Sequence, residues 1–295
     1  MDRWIAVDWG TSSFRGYLIE NDVVLDSIKT NDGMKFINDQ SFEKTFIDLI
    51  EDWLIDDQTT EVLGSGMIGA RQGWIEAPYQ ETPCDLSQIN FVSPKVNDNR
   101  ISIKVFSGIS QIDQPDVMRG EETQIAGFLH ENPNFDGSIC LPGTHSKWIT
   151  VRDRNIEKFK TFMTGELFEV ISNNTVLSHS VTSDKIDKKE LLKSAKMVFE
   201  DPKLIGNALF QIRADDLISS RGSIVYKSRL SGYLLGLELL GSMDFWKTND
   251  VVLIGNKNLI ELYYHVLSDR VSSIRKYVSD EMTLKGLKYF KEKIN

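Results

Sequence analysis

The chain has 295 residues with 41% apolar and 10% aromatic content, enough to bury the cores of about two domains. A formal net charge of −9 argues against nucleic acid or an anionic membrane surface as partner, since both demand clustered Lys and Arg. Cys84 and Cys140 lack metal or redox spacing and read as free buried thiols in a reducing compartment. With no signal-like N-terminus and no apolar run of spanning length, a cytoplasmic location is expected.

In chain order, the apolar run Ile5-Ala-Val ends in Asp8, a turn with Gly10, Thr11, Ser12 and Ser13 follows, and a second apolar run ends in Leu18-Ile19. Two strands joined by that turn place Asp8 beside the Gly10–Thr11 backbone. A carboxylate there can hold a hydrated Mg2+, which takes one or two carboxylates plus phosphate oxygens. Successive turn N–H groups make an anion site. An ordinary hairpin with Asp and Gly in its turn is the plain alternative. Val23-Val-Leu reads as a third strand, and Phe42, Phe46, Leu49, Ile50 and Trp53 form the stripe of an amphipathic helix.

Val62-Leu63 leads into the Gly-rich stretch Gly64 to Trp74. Its glycines admit backbone donors to a ligand, and the Arg71 guanidinium can clasp a carboxylate bidentately. A solvated loop is the alternative. Residues 74 to 100 read as irregular, Ile101, Ile103 and Val105 as a half-buried strand, and a helix starts near Glu121 with Glu122 beside it. Two acids there suit the helix dipole whatever else they do.

Beyond the break Asn132-Pro-Asn-Phe-Asp-Gly, strand, Gly-Thr turn and strand recur over Ser138 to Val151, giving Gly143 and Thr144 the positions of Gly10 and Thr11. Thr164-Gly165-Glu166 reads as a substrate contact or as a helix start. Helical patterns fill 187 to 241, with Gly232 and Gly236 inside one of them. Interior helix glycines cost about 1 kcal/mol each relative to Ala, so close approach of a backbone or a flat ligand is expected. Gly255-Asn256 joins the strand Val251-Val-Leu-Ile to a helix over Leu259 to Leu267.

Strand, Asp-x-Gly-Thr turn and strand resemble the first phosphate motif of the actin/hexokinase/heat-shock-chaperone ATPase superfamily. More narrowly the chain is similar to the 2-dehydro-3-deoxygalactonokinase family. The residues that carry this are Ala6-Val-Asp-Trp-Gly-Thr-Ser, Ser65-Gly-Met-Ile-Gly-Ala-Arg-Gln-Gly-Trp, Met118-Arg-Gly-Glu-Glu-Thr-Gln, Leu141-Pro-Gly-Thr-His-Ser-Lys-Trp, Phe162-Met-Thr-Gly-Glu-Leu-Phe and Leu230-Ser-Gly-Tyr-Leu-Leu-Gly. The chain departs from the wider superfamily at Leu141-Pro142, where an Asp is usual, so magnesium leans on Asp8.

The resemblance implies an α/β, two-lobed actin-like ATPase (ribonuclease H-like) fold, each lobe a mixed sheet flanked by helices, with the active site in the interlobe cleft. Residues 1–132 form the expected N-terminal lobe and 133–295 the C-terminal lobe, whose last helix can pack back on the first. ATP and Mg2+ are the implied cofactors. Gly10, Thr11, Ser12, Gly143, Thr144 and Lys147 bind phosphates; Gly232, Gly236, Gly255 and Asn256 flank adenosine, unless the two helix glycines serve helix packing. Ser65, Gly66, Met67, Arg71, Trp74 and Glu166 hold the substrate. Asp8 positions the metal, and Glu121 or Glu122 polarises the attacking hydroxyl.

The expected reaction is phosphorylation of 2-dehydro-3-deoxy-D-galactonate at carbon 6 in galactonate catabolism, or of the gluconate epimer. A small-molecule sugar acid is the partner, a homodimer is left open, and neither nucleic acid nor membrane is expected. A polyphosphate phosphohydrolase would need a basic groove, which the composition disfavours. A chaperone-like binding module would need a client domain, for which 295 residues leave no room.

Overall fold

A computed structural model describes residues 2–37 and 42–294. The chain divides into two units: residues 1–136, 151–158 and 279–295 make the first, and 137–150 with 159–278 the second.

The first unit is built on strands β1 (Arg3–Trp9), β2 (Phe14–Glu20), β3 (Val23–Thr30), β4 (Thr60–Gly66), β7 (Phe91–Val92) and β8 (Ile101–Phe106) in the order β3-β2-β1-β4-β8-β7. β1 is the central strand, antiparallel to β2 and parallel to β4. That position explains why Ile5, Ala6 and Val7 are all apolar and buried: a strand flanked on both edges and covered on both faces needs no polar alternation. The two-residue turn between β2 and β3 puts Asn21 and Asp22 at positive φ, residue types that tolerate the left-handed region. Helix α1 (Phe42–Ile50) buries Phe42, Phe46 and Ile50 against this sheet. The helix expected to reach Trp53 stops at Ile50, and residues 51–53 tighten into a 3-10 turn. There the Trp53 indole donates to Asp26 at 2.9 Å.

The segment expected to be irregular carries β5 (Gln80–Glu81) and β6 (Cys84–Asp85). β5 joins a small sheet with β9 (Ile109–Gln111) and β10 (Asp116–Met118). Helix α2 (Glu121–Glu131) crosses the C-terminal helix α9 (Ser279–Ile294) at very close range. A Cβ on Gly127 would lie 2.1 Å from the Met282 carbonyl, and one on Gly286 would lie 1.9 Å from that of Thr123.

The strands β11 (Gly137–Leu141), β12 (Ser146–Arg152), β13 (Asn155–Phe162), β14 (Val251–Gly255) and β15 (Ile274–Val278), which belong to the second unit apart from residues 151–158, follow the order β15-β14-β11-β12-β13. That is the order of β8-β4-β1-β2-β3 over again, with β14 parallel to β11 as β4 is to β1. Asp153 and Arg154 turn β12 into β13 at positive φ, in the place that Asn21 and Asp22 hold in the first sheet. The repeat read from two Gly-Thr turns therefore extends to strand order and turn chemistry. The helices are α3 (Thr164–Asn174), α4 (Lys188–Glu200), α5 (Ile205–Ser219), α6 (Ser223–Gly241), α7 (Met243–Trp246) and α8 (Lys257–Leu267). Cys84 and Cys140 are free and buried. No helix among the described residues is long and apolar enough to cross a membrane.

Candidate active site

In the first unit, the β1–β2 register sets Asp8 opposite Arg15, and the β1–β4 register sets it beside Ser65. Arg15 Nη1 donates to Asp8 Oδ2 at 2.8 Å, and Arg15 Nη2 lies 3.5 Å from Asp280 on α9, which Lys29 also approaches at 3.6 Å. Burial pushes the Asp8 carboxyl above the usual range, with the Arg15 charge pulling it back. The turn that follows is pinned from outside. Gly10 N–H donates to the Ser13 carbonyl, while the Gly10 and Thr11 carbonyls accept from Met34 and Lys35. Gly33 lets that support come close, since a Cβ there would lie 2.4 Å from Ser12 Cα. Thr11 and Ser12 are exposed.

Two glycines bring the acid helix to Asp8. Gly66, at φ +91°, ends β4, and a Cβ there would meet Trp9 O at 2.9 Å and Asp8 Oδ1 at 3.3 Å. A Cβ on Gly120, at φ +102°, would in turn lie 3.4 Å from Gly66 Cα. L side chains avoid that backbone region, so the residue types at 66 and 120 are tied to the contact. Ser65 Oγ and Thr123 Oγ1 are 2.5 Å apart across it.

The two acids of α2 differ. Glu122 is fully buried, and both its carboxylate oxygens accept from Gly120 N–H, at 2.9 and 2.7 Å. Glu121 is partly exposed, and its Oε2 accepts from Arg119 N–H at 3.0 Å. Burial, with Glu121 beside it, pushes the Glu122 carboxyl up to about 8. A folded-state value above the ordinary 4.5 means that the folded chain holds a proton that the unfolded chain has lost, so stability falls as pH rises through that window. Glu122→Gln removes the titration and keeps an acceptor for Gly120. In melts from pH 5 to 9 the wild type is expected to lose roughly 5 °C more than the variant; equal losses would mean that Glu122 titrates normally in the folded chain.

The Gly-rich loop folds on itself after β4. Ala70 and Gly73 N–H groups bond back to Met67 and Ala70, and a Cβ on Gly73 would lie 2.4 Å from the Ile68 carbonyl. Met67 and Trp74 are half-buried against the first core, Trp74 packing on Phe46 with ring centroids 5.8 Å apart. Arg71 stands out from this fold. It is 81% exposed and 3.9 Å from a Glu76 that is 61% exposed, a pairing of negligible strength.

In the second unit the Gly143–Thr144 turn meets the start of α3. Glu166 N–H donates to the Thr144 carbonyl at 3.0 Å, and a Cβ on Gly165 would lie 2.4 Å from Gly143 O. Glu166 Oε2 and His145 Nε2 are 2.5 Å apart. Thr164-Gly165-Glu166 is thus a helix start, and its acid lies with the turn. Lys147 is buried in β12 with Nζ donating to Thr161. Gly255 comes near the same turn, a Cβ there lying 3.4 Å from the Pro142 carbonyl, and Asn256 caps α8 by accepting from Asn258 N–H. Gly232 and Gly236 face α4: Cβ atoms there would lie 2.5 and 2.4 Å from the Leu191 and Ala195 carbonyls. That side of α6 is taken up by helix packing.

Beneath the turn lies a network that sequence reasoning missed. Glu238 of α6 is buried and accepts from Trp148 Nε1 at 2.8 Å, from Tyr263 OH at 2.7 Å and from the Thr164 hydroxyl. Tyr263 OH is also 2.8 Å from Ser146 Oγ, which faces Gly143 N–H. Burial pushes Glu238 up while these hydrogen bonds pull it down. One carboxylate therefore braces β12, α3, α6 and α8 around the second turn. No sequence signal marks Glu238, a lone acid in an apolar helix. Arg15 had one, since hairpin pairing sets it opposite Asp8.

The family profile described as 2-keto-3-deoxy-galactonokinase matches residues 8–290. A protein of Rhizobium meliloti named as a probable 2-dehydro-3-deoxygalactonokinase is 36% identical over 291 residues, covering 96% of this chain and 95% of that one. The 2-dehydro-3-deoxygalactonokinase of Escherichia coli is 30% identical over 245 residues, 82% of this chain and 81% of that one. A crystal structure from Sinorhizobium meliloti, described under the same enzyme name, superposes with a TM-score of 0.91 at 35% identity, covering 99% of both chains.

Proposed function

The chain belongs to the 2-keto-3-deoxy-galactonokinase family and has the α/β fold of actin-like ATPases, and on that footing we propose that this sugar kinase transfers the γ-phosphoryl group of ATP to the carbon-6 hydroxyl of 2-dehydro-3-deoxy-D-galactonate, in galactonate catabolism. The observation that carries this is the meeting of the Asp8 carboxylate and the acid helix across Gly66 and Gly120, which gives one unit both a metal-positioning group and a candidate base.

Phosphoryl transfer has a loose transition state, so the protein's work is positioning and charge stabilisation. The Gly10–Ser12 turn offers its backbone and hydroxyls to phosphate oxygens, and the Gly143–Thr144 turn does so in the second unit with Lys147 behind it. Asp8 fits Mg2+: it is a single carboxylate beside a hydroxyl-rich turn, in a cradle that a Cβ at Gly66 would fill. A hydrated magnesium there supplies charge neutralisation at the phosphates. Glu121, the partly exposed member of the acid pair, orients the sugar hydroxyl and accepts its proton; Glu122 braces the helix start. Ser65 to Trp74 form the sugar-acid loop, with Arg71 taking the carboxylate at little cost in lost contacts. Glu166 is assigned to the sugar hydroxyls, and Gly255 with Asn256 to the adenosine.

The test is a coupled assay with galacto and gluco 2-keto-3-deoxy acids and a neutral sugar, run on the wild type, Arg71→Lys and Arg71→Ala. The galacto acid is expected to give the highest kcat/KM. Loss of a charge-assisted pair is expected to raise its KM about ten- to a hundredfold in Arg71→Ala and less in Arg71→Lys, with the ATP constant unchanged. Wild-type constants in both variants would place the carboxylate elsewhere.

A further inference from the structure

Arg119 lies between β10 and α2, directly before the Gly120 that touches Gly66. Its Nη2 donates to the Ala77 carbonyl at 2.7 Å, at the far end of the Gly-rich loop. Its guanidinium stands over the Tyr79 ring, 4.4 Å from the centroid. Gly69 lies under it, since a Cβ there would meet Nη1 at 2.8 Å. Nε and Nη1 are buried without a hydrogen-bond partner among the described residues.

Buried N–H groups of a cation left unpaired are unfavourable for folding. A side chain that carries such a penalty calls for a use. The backbone of Arg119 is held by Glu121, and that of Gly120 by Glu122, while the guanidinium is bonded to the loop.

We propose that Arg119 is a positioning residue for phosphoryl transfer, tying the Gly-rich substrate loop to the start of the acid helix. This rests on the kinase reading above.

The test compares Arg119→Lys and Arg119→Met in the full chain, with each substrate varied in turn across pH. Arg119→Lys keeps the charge but loses the fork, so the sugar-acid KM is expected to rise about tenfold or more with the pH profile kept. Arg119→Met is expected to show the same rise. The ATP constant should hold in both, which reports intact folding. A simple packing role would be satisfied by Met and leave the sugar-acid KM as in the wild type. If the sugar-acid KM of either variant is that of the wild type, the tie to the loop is wrong. Glu121→Gln run in parallel separates the two readings. Wild-type turnover there removes the assigned base, whereas the KM arm on Arg119 is decided independently.

Discussion

Asp8→Asn is expected to lose turnover on the order of a thousandfold or more, the scale seen when one preorganised electrostatic contact to a transition state is removed, while the chain stays folded. The substitution keeps size and shape at the end of β1. The ionised carboxyl is already disfavoured by burial, and Arg15 offsets that cost. In the variant, Arg15 retains Asp280 at 3.5 Å as a partner, so no cation is stranded. Stability should therefore change little. Magnesium-dependent nucleotide binding, measured by calorimetry with and without the ion, should lose its metal dependence along with turnover. A variant that phosphorylates the sugar acid near the wild-type rate would show that Asp8 has no role in placing the metal.

The elements around Asp8 were legible because hairpin, turn and strand are local. An apolar run, an acid, a glycine and hydroxyls in that order have few other ways to fold, and the second Gly-Thr turn predicted a repeat that strand order displays. The acid helix was legible from its first turn, but the unequal burial of Glu121 and Glu122 was not. It depends on Gly120 adopting positive φ and on Gly66 arriving from 54 residues away, neither of which periodicity encodes. Helix glycines at 232 and 236 correctly signalled a close approach, and what approaches is the backbone of α4. The Glu238–Tyr263–Ser146 network joins residues up to 117 positions apart, and a lone polar residue in an apolar stretch gives no hint of its partners. Arg119 sat inside a quoted motif, yet only the structure shows its unpaired N–H groups.

Glu121→Gln is expected to cost about a hundred- to ten-thousandfold in turnover, the range of a positioned general base, with the ATP constant little changed. Glu122→Gln should be mild. The distinction follows from where the two carboxylates are. Glu122 is sealed from solvent with both oxygens on Gly120 N–H, so a sugar hydroxyl cannot reach it without unmaking the helix start. Glu121 is partly exposed on the adjoining position of the same turn. Burial, with Glu121 beside it, pushes the Glu122 carboxyl up to about 8, so the sealed member of the pair holds its proton below that pH and is not the acceptor. Single-turnover kinetics separate this from an effect on product release, since the loss should appear in the chemical step itself. If Glu122→Gln proves the severe variant and Glu121→Gln the mild one, the burial argument fails and the helix start must open during the reaction; if both are mild, the pair only caps the helix and the base lies elsewhere.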